Sequence, residues 1–482
     1  MIGFFTDNWI VILLTYLVGL ISAAHAIIYI KTPQSAVAWS LTLFFIPYIA
    51  LPLYLMFSYV RFRQFIKDYR RSLKTCDDLY KDVWDQIAMF YEENTQPTAY
   101  DSIDTTLSGT NKYPLTEGHD ITLLKNGRAT YDALHKQIKQ AKSYVLITYF
   151  LVRADREGQA LRDLLLQKAE EGVDIYFLYD EQGCSNTDKR FWQSFTHEDI
   201  HLSGFNAIHG PHTLLHYNFR NHRKLVVVDG EYAFTGGLNI GNDYCGEGAK
   251  FDHWRDSHIG FSGPAVLTMQ KCFCRDWYWA TGEILELSWT FPQLKKSKQN
   301  ECSLQAMPTY PTRHRSASLY VYLAIINSAK QRIWLTSPYF IPVPEIFAAL
   351  KHAVLRGVDV KIIIPKNSDQ LHTYYAEITY INKALHAGLD VLLYKEGFMH
   401  QKTILVDDNF CGIGSMNMDY RSIDLNFEIM ALSRCPNFCK QMDEMLCEDL
   451  EYCINVKGRY FRKQPLYIRL IAHFIRLFSP IL

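Results

Sequence analysis

Apolar residues are concentrated near the start of the chain in two long runs. Trp9 to Ile30 is a stretch of 22 residues without Asp, Glu, Lys or Arg, and Val37 to Tyr59 is a second stretch of 23. Each run is long enough to cross a bilayer as a helix, and aromatic residues lie near the ends, as is typical of membrane interfaces. Pro47 and Pro52 predict a kink in the second helix. The pattern predicts two transmembrane helices within residues 1–60.

A cleaved signal peptide is the main alternative for the first run, because Ala24-His25-Ala26 has the small-x-small form of a cleavage site. The preceding residues contain Asp7 and no Lys or Arg, unlike the basic start of a signal peptide. A buried helix pair in a soluble protein is also disfavoured, because the two runs are adjacent. We therefore favour membrane anchors.

Basic residues follow the second run at once. Six of them lie within residues 61–74, where Asp68 is the only acidic residue: Arg61, Arg63, Lys67, Arg70, Arg71 and Lys74. By the positive-inside rule, this segment and the rest of the chain are predicted to lie on the cytoplasmic side. The same charges favour contact with anionic headgroups. Residues 61–118 are interpreted as this basic juxtamembrane segment followed by a polar connector.

The end of the chain, residues 456–482, has the pattern of a basic amphipathic helix. It contains no acidic residue and six basic ones: Lys457, Arg459, Arg462, Lys463, Arg469 and Arg476. After Pro465, apolar residues recur at helical spacing at Leu466, Leu470, Phe474 and Leu477. Such a helix either docks on the protein or lies in the bilayer interface, and the interface is favoured.

Between these ends the chain repeats itself. Residues 140–150 are similar to residues 328–340, and EEGVDIYFLYD (170–180) matches LRGVDVKIIIP (355–365). Each copy alternates predicted strands and helices, which indicates an α/β unit with a mixed sheet. The repeat predicts two halves, at 119–291 and 316–455. The polar, proline-bearing segment 292–315 is interpreted as the linker between them.

A polar motif occurs once in each half. It consists of His-x-Lys followed by Asp, at His222, Lys224 and Asp229 and again at His400, Lys402 and Asp407. In both copies the strand-like runs LVVVD and TILVD end at a turn signal and lead into another apolar run, so each motif is predicted to be a β-hairpin. The His and Lys share one strand face, whereas the Asp has the opposite parity. The Asp is therefore predicted to be structural more than catalytic, although as motif members Asp229 and Asp407 are grouped with the catalytic residues His222, Lys224, His400 and Lys402.

The returning strand of each hairpin brings Asn239 opposite His222 and Asn417 opposite His400. Imidazole, ammonium and carboxamide groups suit attack on a phosphate diester: one His can bond phosphorus, and the other can move protons. The Lys and Asn side chains can hold the phosphate oxygens. A single motif is more often a solvated strand end, but two matched copies argue for one shared site.

These residues resemble the phospholipase D superfamily, whose motif is this signature in duplicate, and are most similar to bacterial cardiolipin synthases. The similarity rests on RNHRKLVVVDG, GGLNIGNDY, WRDSH, GFMHQKTILVD and GSMNMDYRSIDLNFE, within a region covering most of residues 120–482. It implies an α/β fold with two similar phospholipase D-like halves and mixed sheets around one active site, preceded by the two transmembrane helices. It also implies a location in the bacterial cell membrane.

The resemblance implies a role for each site residue. His222 would be the nucleophile and His400 the general acid and then base. Phosphate and substrate binding would involve Lys224, Lys402, Asn239, Asn417, Gly237 and Ser415. Asp256 and Glu428 match the downstream acids that orient each His in the family. Met416 and Ile423 depart from the usual residues, which puts the fine specificity in question.

Composition argues against several classes of partner and cofactor. The net charge is zero, which argues against a nucleic-acid partner, because such domains are usually basic. Eleven cysteines, an odd number without a Cys-x-x-Cys pair, argue against a disulfide framework and a zinc site. Reduced thiols fit the cytoplasmic side. No dinucleotide or P-loop fingerprint is present, so neither cofactor nor metal is expected.

Four functions remain open at this stage. A phosphatidyl transferase would make cardiolipin and glycerol from two phosphatidylglycerol molecules, or use phosphatidylethanolamine as donor. A hydrolase would pass the same intermediate to water. A nuclease is disfavoured by the charge, and a membrane adaptor by the two intact motifs. The expected partners are phosphatidylglycerol and other anionic phospholipids of the membrane; the oligomeric state is open.

Overall fold

The computed structural model describes residues 9–30, 33–57, 59–94, 106, 113–206, 218–248, 250–292, 302–311, 317–458 and 460–481. The chain forms two compact units, an N-terminal unit that extends to Lys74 and a larger unit that begins at Thr75. The two predicted halves both belong to the larger unit.

The N-terminal unit contains α1 (Trp9–Tyr29), which among the described residues is the one helix both long and apolar enough to cross a membrane. The predicted second span is not one helix. Instead α2 (Pro33–Phe45) is followed by α3 (Pro47–Phe57), and the break falls at the predicted kink. A proline at the first position of α3 cannot donate the N–H that would continue α2. Helices α1 and α2 pack closely, with Ser40 Oγ donating to the Ala23 carbonyl at 3.3 Å.

The segment predicted as a polar connector contains two helices, α4 (Tyr59–Leu79) and α5 (Lys81–Asn94). Helix α5, at the start of the larger unit, buries Trp84, Ile87 and Tyr91 in a cluster with Leu267 and Cys274 of the first half. Tyr91 donates to the Pro264 carbonyl at 3.1 Å. The connector is therefore partly an ordered layer over the first half, and its polarity reflects the exposed side of these helices.

The first half is built on a seven-stranded mixed sheet. Its strands are β1 (Asp120–Lys125), β2 (Tyr144–Tyr149), β3 (Asp174–Asp180), β4 (Ile200–Phe205), β5 (Leu225–Val228), β6 (Tyr232–Gly236) and β8 (Ser257–Ser262). The order across the sheet is β1-β8-β6-β5-β2-β3-β4. Its helices are α6 (Asn126–Gln140), α7 (Arg156–Glu170), α8 (Lys189–Gln193) and α9 (Ala265–Thr281). Strands β5 and β6 form the predicted hairpin.

The second half repeats this plan. Its sheet contains β9 (Leu304–Thr309), β10 (Arg332–Thr336), β12 (Asp359–Pro365), β13 (Asp390–Tyr394), β15 (Thr403–Val406), β16 (Phe410–Gly414), β18 (Glu428–Ser433) and β19 (Cys453–Asn455). The order is β19-β13-β12-β10-β15-β16-β18-β9. Apart from β19, it matches the first sheet strand for strand, and β15 and β16 form the second predicted hairpin. The predicted α/β fold with two similar halves and mixed sheets is confirmed.

The remaining elements of the second half are its helices and short strands. The helices are α10 (Ala317–Ser328), α11 (Pro344–Leu355), α12 (Leu371–His386), α13 (Tyr420–Asp424), α14 (Pro436–Glu451) and α15 (Leu466–Ile475). The two-residue strands are β11 (Phe340–Ile341), β14 (Phe398–Met399) and β17 (Met418–Asp419), with β7 (Trp254–Arg255) in the first half. A separate buried apolar cluster underlies each half.

Two findings correct the sequence-based picture of the region between the halves. The predicted linker 292–315 contains β9, which is fully buried and pairs with β18 as the counterpart of β1. A disulfide joins Cys302 to Cys435, two residues 133 apart in sequence. The cysteine count argued against a disulfide framework, yet one bridge requires only that two residues meet in the fold.

Candidate active site

The two motif histidines lie where the halves meet. His222 comes just before β5, and its backbone N–H donates to the Phe427 carbonyl at 2.9 Å. His400 comes just before β15, and its N–H donates to the Arg255 carbonyl at 2.7 Å. Strands β7 and β14 pair in parallel across the junction. In each case, the segment carrying a His is therefore hydrogen-bonded to the segment that leads to an acidic residue of the other half.

This pairing brings each acid to the histidine of the opposite half. His222 Nδ1 lies 2.9 Å and 3.0 Å from the two carboxylate oxygens of Glu428. His400 Nδ1 lies 2.8 Å from Asp256 Oδ2. An Nδ1–H that donates to a carboxylate leaves the Nε2 lone pair of a neutral imidazole available to a substrate. Both acids are fully buried, so protein groups alone fix the positions of their carboxylates.

Glu428 is the more extensively bound of the two carboxylates. Besides His222, it accepts hydrogen bonds from Ser415 Oγ at 2.5 Å, Ser422 Oγ at 2.9 Å and Asn426 Nδ2 at 3.1 Å. Burial alone would raise the pKa of Glu428, but His222, Lys224 and Ser415 bring it below its ordinary value. Sequence reasoning missed Ser422 and Asn426, although both lie in the polar stretch between Asn417 and Glu428.

Asp256 has a different environment. It accepts a hydrogen bond from the Ser257 N–H at 2.8 Å. Burial raises the pKa of Asp256 to about 6, against the opposing charge of Lys402. The two acids therefore differ in their ability to remain ionised near neutral pH.

The motif lysines lie beside the histidines, as their shared strand face predicts. Lys224 Nζ donates to the His222 carbonyl at 2.7 Å, and Lys402 Nζ to the His400 carbonyl at 2.6 Å. Burial lowers the pKa of Lys224 to about 7 and that of Lys402 to about 8, while Glu428 and Asp256 respectively oppose the shift. An anionic phosphate between them would favour their charged forms.

Both imidazoles have low pKa values in the substrate-free site. Burial lowers the pKa of His222 to about 4, although Glu428 opposes the shift. Burial also holds the pKa of His400 well below its ordinary value, together with the charges of Lys402 and Lys224. Lys402 likewise contributes to the low pKa of His222. Each His is thus within electrostatic reach of the lysine of the other half, as expected for a single site.

The two motif asparagines are not equivalent. Asn239 donates to the Tyr244 hydroxyl at 2.9 Å and accepts from the Leu151 N–H at 3.3 Å, so its carboxamide is engaged by the protein. Asn417 is buried, and its Oδ1 has no hydrogen-bond partner among the described residues. Asn417 is therefore the better placed of the two to meet a ligand.

Gly237 and Ser415 were predicted to bind substrate, which stays a prediction; the structure places them against Asp256 and Glu428. A Cβ at Gly237 would lie 2.0 Å from Asp256 Oδ1, so only glycine leaves room for that carboxylate. At the equivalent position, Ser415 donates to Glu428. Gly237 and Ser415 each lie against one of these carboxylates, and a larger side chain at either position would collide with it.

The motif aspartates lie at turns, at the far ends of strands β5 and β15 from the histidines. Asp229 and Asp407 have φ values of 53° and 49°, in the left-handed region that Asp tolerates better than most residues. Each carboxylate accepts hydrogen bonds from three consecutive backbone N–H groups, at residues 142–144 and 330–332 respectively. Their position agrees with the predicted structural role, and their grouping with the catalytic residues stays a prediction.

Buried ion pairs behind the motifs were not predicted. Arg223, between His222 and Lys224, pairs with Asp276 and donates to the backbone carbonyls of Glu428 at 3.2 Å and Thr309 at 2.7 Å. In the second half, Asp449 accepts from Arg255 and from Gln401, each at 2.6 Å. The HRK sequence alone gave no sign that its middle residue, Arg223, contacts the other half. In the second half, Asp449 makes the contact with Arg255 of the first, and Gln401 bonds this Asp449 within its own half.

Within the described parts of the chain, no three His, Cys, Asp or Glu side chains form a group that could hold a metal ion. The described chemistry is carried by nitrogen bases, ammonium groups and carboxylates. That the reaction needs neither metal nor cofactor stays a prediction.

Comparison with known proteins agrees with the geometry. The family described as cardiolipin synthase, PLD-like domain, matches residues 134–250 and 322–450, one stretch in each half. The chain is 37% identical to cardiolipin synthase A of Pseudomonas putida over 97% of both chains, and 36% identical to that of Pseudomonas aeruginosa over 96% of this chain and 94% of the relative. A phosphatidylserine synthase from Haemophilus influenzae has the same fold, with a TM-score of 0.63 at 16% identity, covering 79% of this chain and 100% of that one. The chain belongs to the cardiolipin synthase family of phospholipase D-like enzymes.

Proposed function

We propose that this enzyme joins two phosphatidylglycerol molecules into cardiolipin and releases glycerol, through a phosphatidyl-histidine intermediate. The observation that carries the proposal is the crossed pairing of His222 with Glu428 and of His400 with Asp256. It supplies two imidazoles with oriented rings, two lysines and a free carboxamide oxygen at one junction. Such a set can bind one phosphate and transfer it in two steps.

In the first step, Nε2 of His222 attacks phosphorus and the bond to the headgroup glycerol breaks. The departing alkoxide takes a proton from His400 and leaves as glycerol. The bound phosphate partly neutralises Lys224 and Lys402, whose charges lower the pKa of His400. Substrate binding therefore favours the protonated His400 that this step requires.

In the second step, a headgroup hydroxyl of another phosphatidylglycerol gives its proton to His400 while its oxygen attacks phosphorus. The N–P bond breaks, cardiolipin forms and both histidines return to their starting states. His222 is assigned as the nucleophile because the ionised, fourfold-bound Glu428 stabilises the positive charge that develops on the ring as the N–P bond forms.

The test is product analysis with the full chain in membranes containing phosphatidylglycerol labelled in its headgroup and acyl chains. Equal amounts of cardiolipin and free glycerol are expected, with no turnover by His222→Ala. Phosphatidic acid as the main product would instead establish a hydrolase. Release of ethanolamine from labelled phosphatidylethanolamine would establish that lipid as a donor.

We further propose that α1 and the α2–α3 pair span the cytoplasmic membrane, with the larger unit inside the cell. Large apolar side chains of both segments are exposed, including Ile21, Ile28 and Phe45, and α1 has a length of about 31 Å, close to the bilayer core. Alkaline phosphatase fused after Lys31 should be active, whereas the same fusion after Lys74 should be inactive. Activity at Lys74 would reverse the topology.

A further inference from the structure

The C-terminal helix α15 has one face packed against the protein. Its Ala472 is fully buried in a cluster with Ile378 of α12 and Phe461, and Ile468 packs at the edge of this cluster. The Arg469 guanidinium lies 5.4 Å from the Phe461 ring centroid. The sequence left two possibilities for this helix, docking on the protein and lying in the bilayer interface. The inner face of the helix docks on the second half.

The outer face of α15 and of the 3-10 turn that follows it, Arg476–Ile481, is apolar and exposed. We define the C-terminal ridge as Leu466, Leu470, Phe474 and Leu477, whose exposed fractions are 66%, 62%, 59% and 68%. They follow one another at helical spacing, so they form a continuous strip. Single exposed apolar residues are common on protein surfaces, but a contiguous strip of this kind marks an interaction site.

Charge around the C-terminal ridge indicates what covers it. Arg462 and Lys463 are exposed just before α15, and residues 457–482 contain no acidic residue. Basic side chains beside an apolar strip favour an anionic bilayer surface, where the strip enters the acyl boundary and the charges meet headgroups.

The helix and turn that carry the C-terminal ridge pack on two helices, α12 and α13, that begin close in sequence to residues of the active site. Helix α12, on which α15 packs, begins just after Asp369. The charge of Asp369 opposes the lowering of the Lys402 pKa, so this carboxylate lies within electrostatic reach of the motif. The turn Arg476–Ile481 contacts α13, which begins three residues after Asn417. A surface held by α12 and α13 is thus tied to the substrate-facing end of the second half.

We infer that the C-terminal ridge is an interfacial anchor, which inserts into the headgroup layer of an anionic phospholipid bilayer and holds the second half of the active site against that bilayer. The inference rests on the proposed function in that it takes membrane phospholipid as the substrate. It adds a bilayer contact separate from the N-terminal helices.

Photo-crosslinking tests the contact without relying on turnover. The full chain is reconstituted in vesicles of phosphatidylglycerol and phosphatidylethanolamine with a benzophenone-bearing phenylalanine at Leu470. A matched control carries it at Leu355, which is 75% exposed on α11 of the same half. Leu470 should label lipid at least several-fold more than Leu355, and the labelling should fall in phosphatidylcholine vesicles.

Two outcomes overturn the inference, and a third separates it from the proposed reaction. Crosslinks between two copies of the chain at Leu470 would make the ridge a dimer interface. Equal lipid labelling at Leu470 and Leu355 would mean that the ridge does not enter the bilayer. Lipid labelling at Leu470 by an enzyme that forms no cardiolipin would leave the ridge intact and refute the proposed reaction.

Substitution gives a kinetic check of the same surface. In the reconstituted vesicles, Leu470→Glu should raise the surface concentration of phosphatidylglycerol needed for half-maximal rate by roughly tenfold, the scale expected for taking one large apolar side chain out of the bilayer. Leu355→Glu should leave that concentration unchanged. Equal effects of the two substitutions would refute the anchor. Because Leu470 is exposed, unfolding is not expected, and thermal denaturation of both variants verifies this.

Discussion

Glu428→Gln is expected to slow formation of the phosphatidyl-enzyme while leaving the protein folded. Glutamine keeps the size of the side chain but removes the negative charge beside His222 Nδ1. The nucleophile then loses the group that stabilises its developing positive charge. The site is not left with clashing donors, because the hydroxyls of Ser415 and Ser422 can rotate to accept from the new amide. Removal of a fully buried charge also offsets the loss of hydrogen bonds.

The size of the effect follows from the contact itself. A hydrogen bond to a charged group contributes about 1.5–3 kcal/mol. If the contact between Glu428 and His222 is strengthened in the transition state by that amount, its loss slows the first step by roughly 10- to 150-fold. Lipid binding should change less, because the lysines and Asn417 remain in place. The loss should therefore fall on kcat more than on KM.

Rapid-quench measurement of the two half-reactions tests the assignment. With headgroup-labelled phosphatidylglycerol, the burst of glycerol reports formation of the intermediate, and later cardiolipin reports its breakdown. Glu428→Gln should slow the burst. The matched variant Asp256→Asn removes the acid beside His400 and should slow both proton-transfer steps, so that trapped intermediate persists.

Three results would contradict the assigned roles of the two acids. A slowed burst in Asp256→Asn alone, with normal burst and slow release in Glu428→Gln, would exchange the roles of the two histidines. Full activity of both variants would show that neither acid orients its histidine. An unfolded Glu428→Gln protein, seen by circular dichroism, would make the carboxylate structural, since the prediction requires a folded variant.

Three further outcomes are expected. His222→Ala should abolish trapped phosphatidyl-enzyme, whereas His400→Ala should form it slowly and retain it; label that depends on His400 instead would reverse the assignment. Asp229→Asn should lower the free energy of unfolding by about 1.5–3 kcal/mol in thermal or urea denaturation, because a neutral amide cannot replace a carboxylate bound by three N–H groups; a stable but inactive variant would make Asp229 catalytic. Folding raises the pKa of Asp256 from 3.8 to about 6. The contribution of Asp256 to stability is therefore complete below the unfolded-state pKa of 3.8, and it is lost as the pH rises through the folded-state pKa of about 6. The melting temperature of Asp256→Asn relative to wild type should therefore increase over that interval, and a constant difference would contradict the raised pKa.

Much of the fold could be predicted because each half repeats the same local patterns. The paired hairpins followed from apolar runs and turn residues, and the placement of Asp229 at a turn, away from His222, followed from its parity along the strand. Strand β9 was not predicted because it contains Pro308 and lies beside a polar segment. It is the edge strand of its sheet, which is where a proline is tolerated. Its pairing with β18 is a long-range contact that local pattern cannot reveal.

The crossed acid–histidine pairs could not be predicted from spacing either. Sequence separation leaves open whether Asp256 reaches the histidine of its own half or of the other half. The choice is made by short backbone pairings at the junction, such as β7 with β14. Segments of two residues have no periodicity that could be recognised beforehand.

The crossed arrangement explains why two copies of one motif form a single asymmetric catalyst. Each half brings a histidine and a lysine but depends on the other half for its acid, so neither half alone holds a complete set. Because the two acids belong to different halves, each has its own set of hydrogen-bond donors and its own pKa. The longer Glu428, with Ser415 beside it, gathers several donors and stays ionised. The shorter Asp256, with Gly237 beside it, has fewer donors and a raised pKa. A stable anion beside one histidine and a more easily protonated carboxyl beside the other are the conditions that favour a nucleophile at His222 and a proton carrier at His400.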